Sequence, residues 1–194
     1  MLTPQTATHA NEDPSSDEAL MLAFAKGNAA AFEALYDRHE RGAWRFVFRS
    51  VKNQEVADDV SQELWFAVAR SAASYVPTAK FKTWLFTMAR NRVIDLSRTA
   101  KHHASIDEEN DEGQSMFSDL AADSRLGPLR QVSSREQASA LLQAIEELPA
   151  DQRETFLLQA EGDMSVEEIA AATGVSFETA KSRLRYARNK LKSL

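Results

Sequence analysis

Cysteine is absent from the 194-residue chain, so no disulfide can form and no thiolate can hold zinc. A reducing compartment is the natural expectation. Long apolar runs are missing too: nothing approaches the ~20 residues that a bilayer-crossing helix needs. The opening residues, MLTPQTATHANEDPSSDE, hold no basic segment followed by an apolar one and do not read as a secretory leader. These absences predict a cytoplasmic protein. A cationic surplus is also lacking. The formal charge is −6, whereas proteins that bind polyanions are usually basic. Placement matters more than the total, because seven carboxylates (Asp107, Glu108, Glu109, Asp111, Glu112, Asp119, Asp123) crowd one segment that has no Lys or Arg. Cationic stretches elsewhere therefore keep their local field. With 43% hydrophobic residues the chain can bury one medium core or two small ones.

Taken in order, residues 1–16 are polar and aperiodic, as in a disordered tail. Helical spacing starts at Asp17 and breaks at Gly27. Asn28 can cap a second helix, with Phe32, Leu35, Tyr36, Ala43, Phe46 and Val47 inward and Gly42 as a weak point. A third, from about 54 to 72, turns Val56, Val60, Leu64, Ala67 and Val68 inward, and Asp58, Asp59, Gln62 and Glu63 outward. Tyr75, Val76 and Pro77 interrupt the pattern. A fourth, from about 79 to 99, buries Phe81, Trp84, Leu85, Met88, Ala89, Val93 and Leu96. It is cationic, with Lys80, Lys82, Arg90, Arg92, Arg98 and Lys101 against Asp95, and Phe81, Trp84 and Phe86 lie among the cations. Aromatics beside cations suit single-strand capture by stacking and phosphate pairing, and equally suit a core. Residues 102–135 lose periodicity, carry the acidic run and Gly127-Pro128, and read as a linker. His102 and His103 are adjacent and no third ligand stands near them in sequence, so no metal site is expected. From Glu136, Leu141, Leu142, Ile145 and Leu148 form a helix ended by Pro149, and Asp151 to Glu161 form another around Phe156 and Leu157.

The most informative stretch comes last: SVEEIAAATGVSFETAKSRLRYARNKLK, Ser165 to Lys192. Ser165 with Glu168 spells a capping box, Thr173-Gly174 a break, and Ser176 a second cap. Phe177, Ala180, Leu184, Ala187 and Leu191 then recur at helical steps as a core face. Lys181, Arg185, Arg188 and Lys192 form a flanking stripe, while Thr179, Ser182, Tyr186 and Asn189 point away from the core. From Glu178 to Lys192, six cations oppose one anion. A merely solvated hairpin would mix the signs, so the bias favours a DNA-reading helix-turn-helix.

Four segments in this order, GNAAAFEALYDRH, VADDVSQELW, FKTWLFTMARNRVIDLSR, and ELPADQRETFLL with MSVEEIAAATGVSFETAKSRLRYAR, resemble the extracytoplasmic-function sigma factors, the two-domain branch of the sigma-70 family. The resemblance covers about residues 18–100 and 136–194. It implies core RNA polymerase as partner: Asp59, Gln62 and Glu63 would dock on the clamp helices of the largest subunit, with a further contact to the flap of the second-largest. It implies that the Val76–Lys80 loop and the start of the fourth helix, with Lys80, Phe81 and Trp84, hold a base flipped from the non-template strand at the −10 element, supported by Asn91. Arg90, Arg92 and Arg98 would then meet phosphates, or else solvate an exposed face. At the −35 element, Lys181, Ser182, Arg185 and Tyr186 match reading or phosphate-contact positions. Glu167 and Thr179 match others, and Arg183 and Arg188 stand beside them. Members of the family often have an anti-sigma protein as partner. The chain departs from the family at Glu178-Thr179-Ala180-Lys181-Ser182-Arg183, where relatives usually read Gly-Thr-Val-Lys-Ser-Arg, and at Gln159, where a cation is common.

The expectation is thus an all-α protein with two small helical domains, 17–101 and 136–194, on a flexible acidic linker. It would direct RNA polymerase to promoters, help to open the −10 region, and need neither cofactor nor metal. The linker would fold back on the cationic faces in the free chain. No nucleophile, base and orienting group recur as a set, so no enzyme is expected. Two rivals remain: an ordinary regulator using the helix-turn-helix alone on a palindromic site, and a metal-dependent enzyme built on His102 and His103.

Overall fold

The computed structural model describes residue 13, residues 15–104 and residues 135–192. Most of the expected tail, the acidic linker from residue 105 to 134, and the side chains of Lys101, His102 and His103 lie outside the described residues. Eight α-helices make up the described chain: α1 (Asp17–Ala25), α2 (Ala29–Val51), α3 (Gln54–Ser71), α4 (Phe81–Ala104), α5 (Arg135–Glu146), α6 (Ala150–Ala160), α7 (Val166–Thr173) and α8 (Phe177–Lys192). A 3₁₀ turn, Ala72–Ser74, follows α3.

Polar side chains set the helix starts. Ser16 Oγ accepts from Ala19 N at 3.1 Å, Asn28 Oδ1 from Ala31 N at 3.3 Å and Asn53 Oδ1 from Val56 N at 3.0 Å, each satisfying an otherwise orphaned donor. The first turn of α4 is satisfied from far away: Glu18 Oε1 accepts from Phe81 N at 2.6 Å. α2 runs unbroken through Gly42, because packing on its buried face outweighs the propensity cost of one glycine.

Helices α1 to α4 enclose Met21, Leu35, Phe46, Leu64, Phe81 and Leu85, all essentially inaccessible to solvent. Ile145, Leu157, Leu158, Met164 and Ile169 form the equivalent centre of α5 to α8. At ~1.5–3 kcal/mol per fully buried large side chain, such clusters are the main term holding each domain together. Leu96 and Phe177 depart from the expected core faces and are 38% and 40% exposed. Leu96 lies in the outer half of α4 and Phe177 opens α8, and both side chains stand partly in solvent. Trp65, which the spacing did not place inside, is buried, with its ring against Tyr36 and Phe32.

The two domains also touch, so the buried cluster is continuous across them. Phe86 of α4 is wholly buried; a Cβ on Gly162, in the turn after α6, would lie 3.1 Å from its Cγ and 2.5 Å from Leu158 O. Only glycine fits that approach. Beside it Glu161, with a side chain 1% exposed, takes Arg45 Nε at 3.0 Å and Nη2 at 2.7 Å on Oε2, and Arg49 Nη1 on Oε1. Burial, the largest influence, lowers the Arg49 pKa against the opposing charge of Glu161.

Candidate nucleic-acid interface

The helix-turn-helix forms as its residues dictate. Ser165 Oγ accepts from Glu168 N at 3.2 Å while Glu168 Oε2 accepts from Ser165 N at 2.7 Å, a complete capping box. Gly174 ends α7 at φ 69°, a left-handed conformation that L side chains avoid. Ser176 Oγ then accepts from Thr179 N at 3.2 Å and starts α8. Ala180, Leu184 and Ala187 bury one face of α8. Lys181, Arg185, Tyr186, Arg188 and Thr179 are exposed on the rest, Ser182 is half-buried, and Glu167 and Glu178 are exposed. The Arg185 guanidinium lies 5.1 Å from the Tyr186 ring centre and Lys181 Nζ 5.6 Å from that of Phe177, contacts that hold both cations along the surface. Arg183 is paired with Asp151, and Arg188 donates to Gln159, the position where relatives commonly carry a cation. Those two are paired within the domain, while Lys181 and Arg185 lie exposed along its surface.

The α4 candidates divide. Lys80 is exposed at the end of an exposed loop, Val76 to Lys80. Phe81 is fully buried against His39, Tyr75 and Trp84, so the core alternative applies to its side chain. Trp84 is half-buried, its ring 5.2 Å from that of Tyr75. Asn91 is exposed, and among the described residues it makes no hydrogen bond to the loop. Arg98 is exposed beside Asp95 at 3.9 Å, a pair of little energetic weight. Arg92 Nη1 meets Glu63 Oε2 at 2.9 Å. Arg90 is turned toward the second domain, with Nε on Glu154 Oε1 and Nη1 on Ala172 O, both at 2.9 Å. Thr83 Oγ1 donates to Glu168 Oε1 at 2.7 Å. Burial alone would discourage ionisation of Glu168, but the Ser165 and Thr83 hydrogen bonds and the Lys80 charge together hold its pKa below the usual value.

In the first domain, Asp58, Asp59, Gln62 and Glu63 are exposed along α3, Glu63 meeting Arg92 of α4. Next to them α2 and α3 frame a groove of about 810 Å³, whose lining includes Tyr36, Trp44, Asp58, Gln62, Trp65 and Phe66. Phe66 is 57% exposed and Tyr36 40%. The groove escaped the periodicity reading, which set Tyr36 in the core and left Phe66 aside. The available signal was Phe66 itself, a large apolar residue on the acidic face of α3.

Residues 35–103 match the Sigma-70 region 2 family and residues 138–191 the Sigma-70, region 4 family. The RNA polymerase sigma factor NccH of Alcaligenes xylosoxydans xylosoxydans is 31% identical, over 94% of this chain and 96% of its own. The ECF RNA polymerase sigma factor SigW of Bacillus subtilis is 30% identical, over 86% and 90%. This chain belongs to the sigma-70 family as an ECF-type sigma factor. It directs RNA polymerase to promoters for transcription initiation, binds core polymerase as the family does, and is not itself an enzyme. This sigma factor shares its fold with two solved sigma factors. One is CnrH in complex with the cytosolic domain of CnrY, with a TM-score of 0.60 and 23% identity over 91% of this chain and 95% of that one. The other is RpoE with the anti-sigma factor NepR from Bartonella quintana, with a TM-score of 0.67 and 22% identity over 84% and 94%. No helix among the described residues of the sigma factor is long and apolar enough to cross a membrane.

Proposed function

We propose that the sigma factor divides its work among three surfaces. Asp59, Gln62 and Glu63, with the apolar groove beside them, dock on the clamp helices of the largest polymerase subunit, and the second domain meets the flap of the second-largest. The Val76–Lys80 loop with Trp84 and the α4 cations captures the −10 strand, Phe81 supporting that site from within. α8 enters the major groove at the −35 element, with Lys181 and Arg185 reaching furthest and Thr179, Ser182 and Tyr186 positioning the helix. The protein works in the cytoplasm, where core polymerase and promoter DNA are. An anti-sigma protein is a further partner, as NepR is for RpoE.

The observation that supports this best is the segregation of exposed charge: an acidic stripe on α3 and a cationic stripe on α8. A face of one sign orients a partner of the other and speeds encounter. The test is in-vitro transcription with purified core polymerase. Promoter-dependent transcript should require this chain, and Asp59→Arg with Glu63→Arg should lower its yield at limiting sigma factor at least about tenfold, or ~1.4 kcal/mol of docking affinity. Unchanged yield in that double variant would move the docking site elsewhere.

A further inference from the structure

We infer that Glu18 of α1 is a positioning residue for −10 recognition: its hydrogen bond to Phe81 N fixes the point at which the 76–80 loop enters α4, and with it the shape that the loop offers to an extruded base. The inference rests on the proposed role of that loop as the −10 capture site. Every residue of the loop is exposed. Among the described residues its interior holds one backbone hydrogen bond, Thr78 N donating to Val76 O at 2.8 Å. So short and open a segment has little of its own to define its course, and its ends must do so.

Both ends rest on α1, which packs against the 3₁₀ turn before the loop and against α4 after it. Where the loop enters α4, Lys80 has no side-chain oxygen with which to accept from the first turn. Glu18 Oε1 supplies one from α1, 2.6 Å from Phe81 N. The acceptor is a carboxylate, which suits the positive end of a 24-residue helix. Phe81 is also held from the side: its ring centre lies 5.5 Å from that of His39, whose Nε2 donates to Asp17 Oδ2 at 2.7 Å. Arg38 donates to the other Asp17 oxygen at 2.9 Å and to Ser15 O at 2.7 Å, so the start of α1 is tied to α2. At the other end of the loop Tyr75 is buried, its ring 6.3 Å from that of Phe81 and 5.2 Å from that of Trp84. Two adjacent carboxylates thus brace the loop, Glu18 through the backbone of Phe81 and Asp17 through the His39 ring beside it. An extruded base recovers the cost of unstacking only in a pocket already shaped for it, so a displaced loop end weakens the choice of base before it weakens anything else.

The test uses holoenzyme assembled from core polymerase and the full chain, with a promoter fragment that carries a duplex −35 element and a single-stranded non-template −10 strand. Affinity is measured for each of the four bases at every −10 position, and a ratio of affinities does not depend on how much of a preparation is active. Wild type should prefer one base by at least about tenfold at one position or more. Glu18→Ala should cut that preference to about threefold or less, while discrimination among −35 sequences stays within about twofold of wild type. Glu18→Gln, which keeps an acceptor oxygen of the same reach, should retain it. A role confined to stability lowers the active fraction and leaves each ratio alone, so unchanged −10 preference in Glu18→Ala overturns the inference. An equal loss at −10 and −35 overturns it too, as does a Glu18→Gln variant as impaired as Glu18→Ala. Should circular dichroism show that Glu18→Ala has lost helicity, Glu18→Asp, with its carboxylate drawn back by one methylene group, is measured in its place with the same expectation. Val76→Ala with Lys80→Ala separates the two ideas. If −10 preference survives in that double variant, the loop is not the capture site and the reading beneath the inference fails; preference lost there and kept in Glu18→Ala fails the inference alone.

Discussion

Among single residues, Arg185 and Tyr75 carry the clearest expectations. Arg185 is exposed on α8, with its guanidinium held beside the Tyr186 ring. If it reads a guanine edge, Arg185→Ala costs about 1–3 kcal/mol and relaxes specificity at one base pair. If it meets a phosphate, binding weakens evenly across sequences and the salt slope falls by about one. Titrating wild type and variant against −35 duplexes at several salt concentrations distinguishes the two. Tyr75 is buried, and its hydroxyl finds no hydrogen-bond partner among the described residues. Burial first, then the charges of Glu18 and Asp17, push its pKa from 10.0 up to about 12. The folded state thus favours the neutral phenol. The stability this contributes is complete below pH 10 and is lost as pH rises from there toward 12. Tyr75→Phe leaves nothing to ionise and removes an unpaired buried hydroxyl. It should raise stability by about 1 kcal/mol at neutral pH and flatten the alkaline fall in melting temperature between pH 10 and 12. A variant less stable than wild type at pH 7 would mean that the hydroxyl has a partner after all.

For whole elements, how each helix begins decides what it can present. The caps of α7 and α8 are local, written in Ser165-x-x-Glu168, Gly174 and Ser176, and the hairpin was legible from those residues alone. α4 starts differently. Its first turn relies on Glu18, sixty-three residues earlier, whose carboxylate accepts from Phe81 N. No pattern in the sequence around Phe81 signals this, because the partner is brought by α1 packing beside α4. Glu18→Ala should destabilise the protein by about 1 kcal/mol, at the upper range if the donor stays buried. The effect should concentrate in the first turn of α4 and be read as faster amide exchange at Phe81 and Thr83, with α8 unchanged. Uniform exchange across the chain would mean that Glu18 contributes to the core rather than to the helix start. The same periodicity that placed Leu85 and Ala89 correctly also put Leu96 and Phe177 inside, since spacing says which residues share a face and not whether anything covers that face.

The whole molecule reveals what neither scale holds. Two domains read as joined by a flexible linker also share an interface of buried charge and apolar contact. The sequence by itself determined the helices, their caps, the helix-turn-helix and the division of surface charge, because those follow from residues within a few positions of one another. Only the tertiary structure decided that Phe86 belongs to the interface and not to a row of stacking aromatics. It alone decided too that Arg90 faces a carboxylate, and that Glu161, an ordinary acid at the end of a helix, is the most enclosed charge between the domains. Those outcomes depend on groups more than sixty positions apart meeting with water excluded, and local propensity carries no record of such meetings.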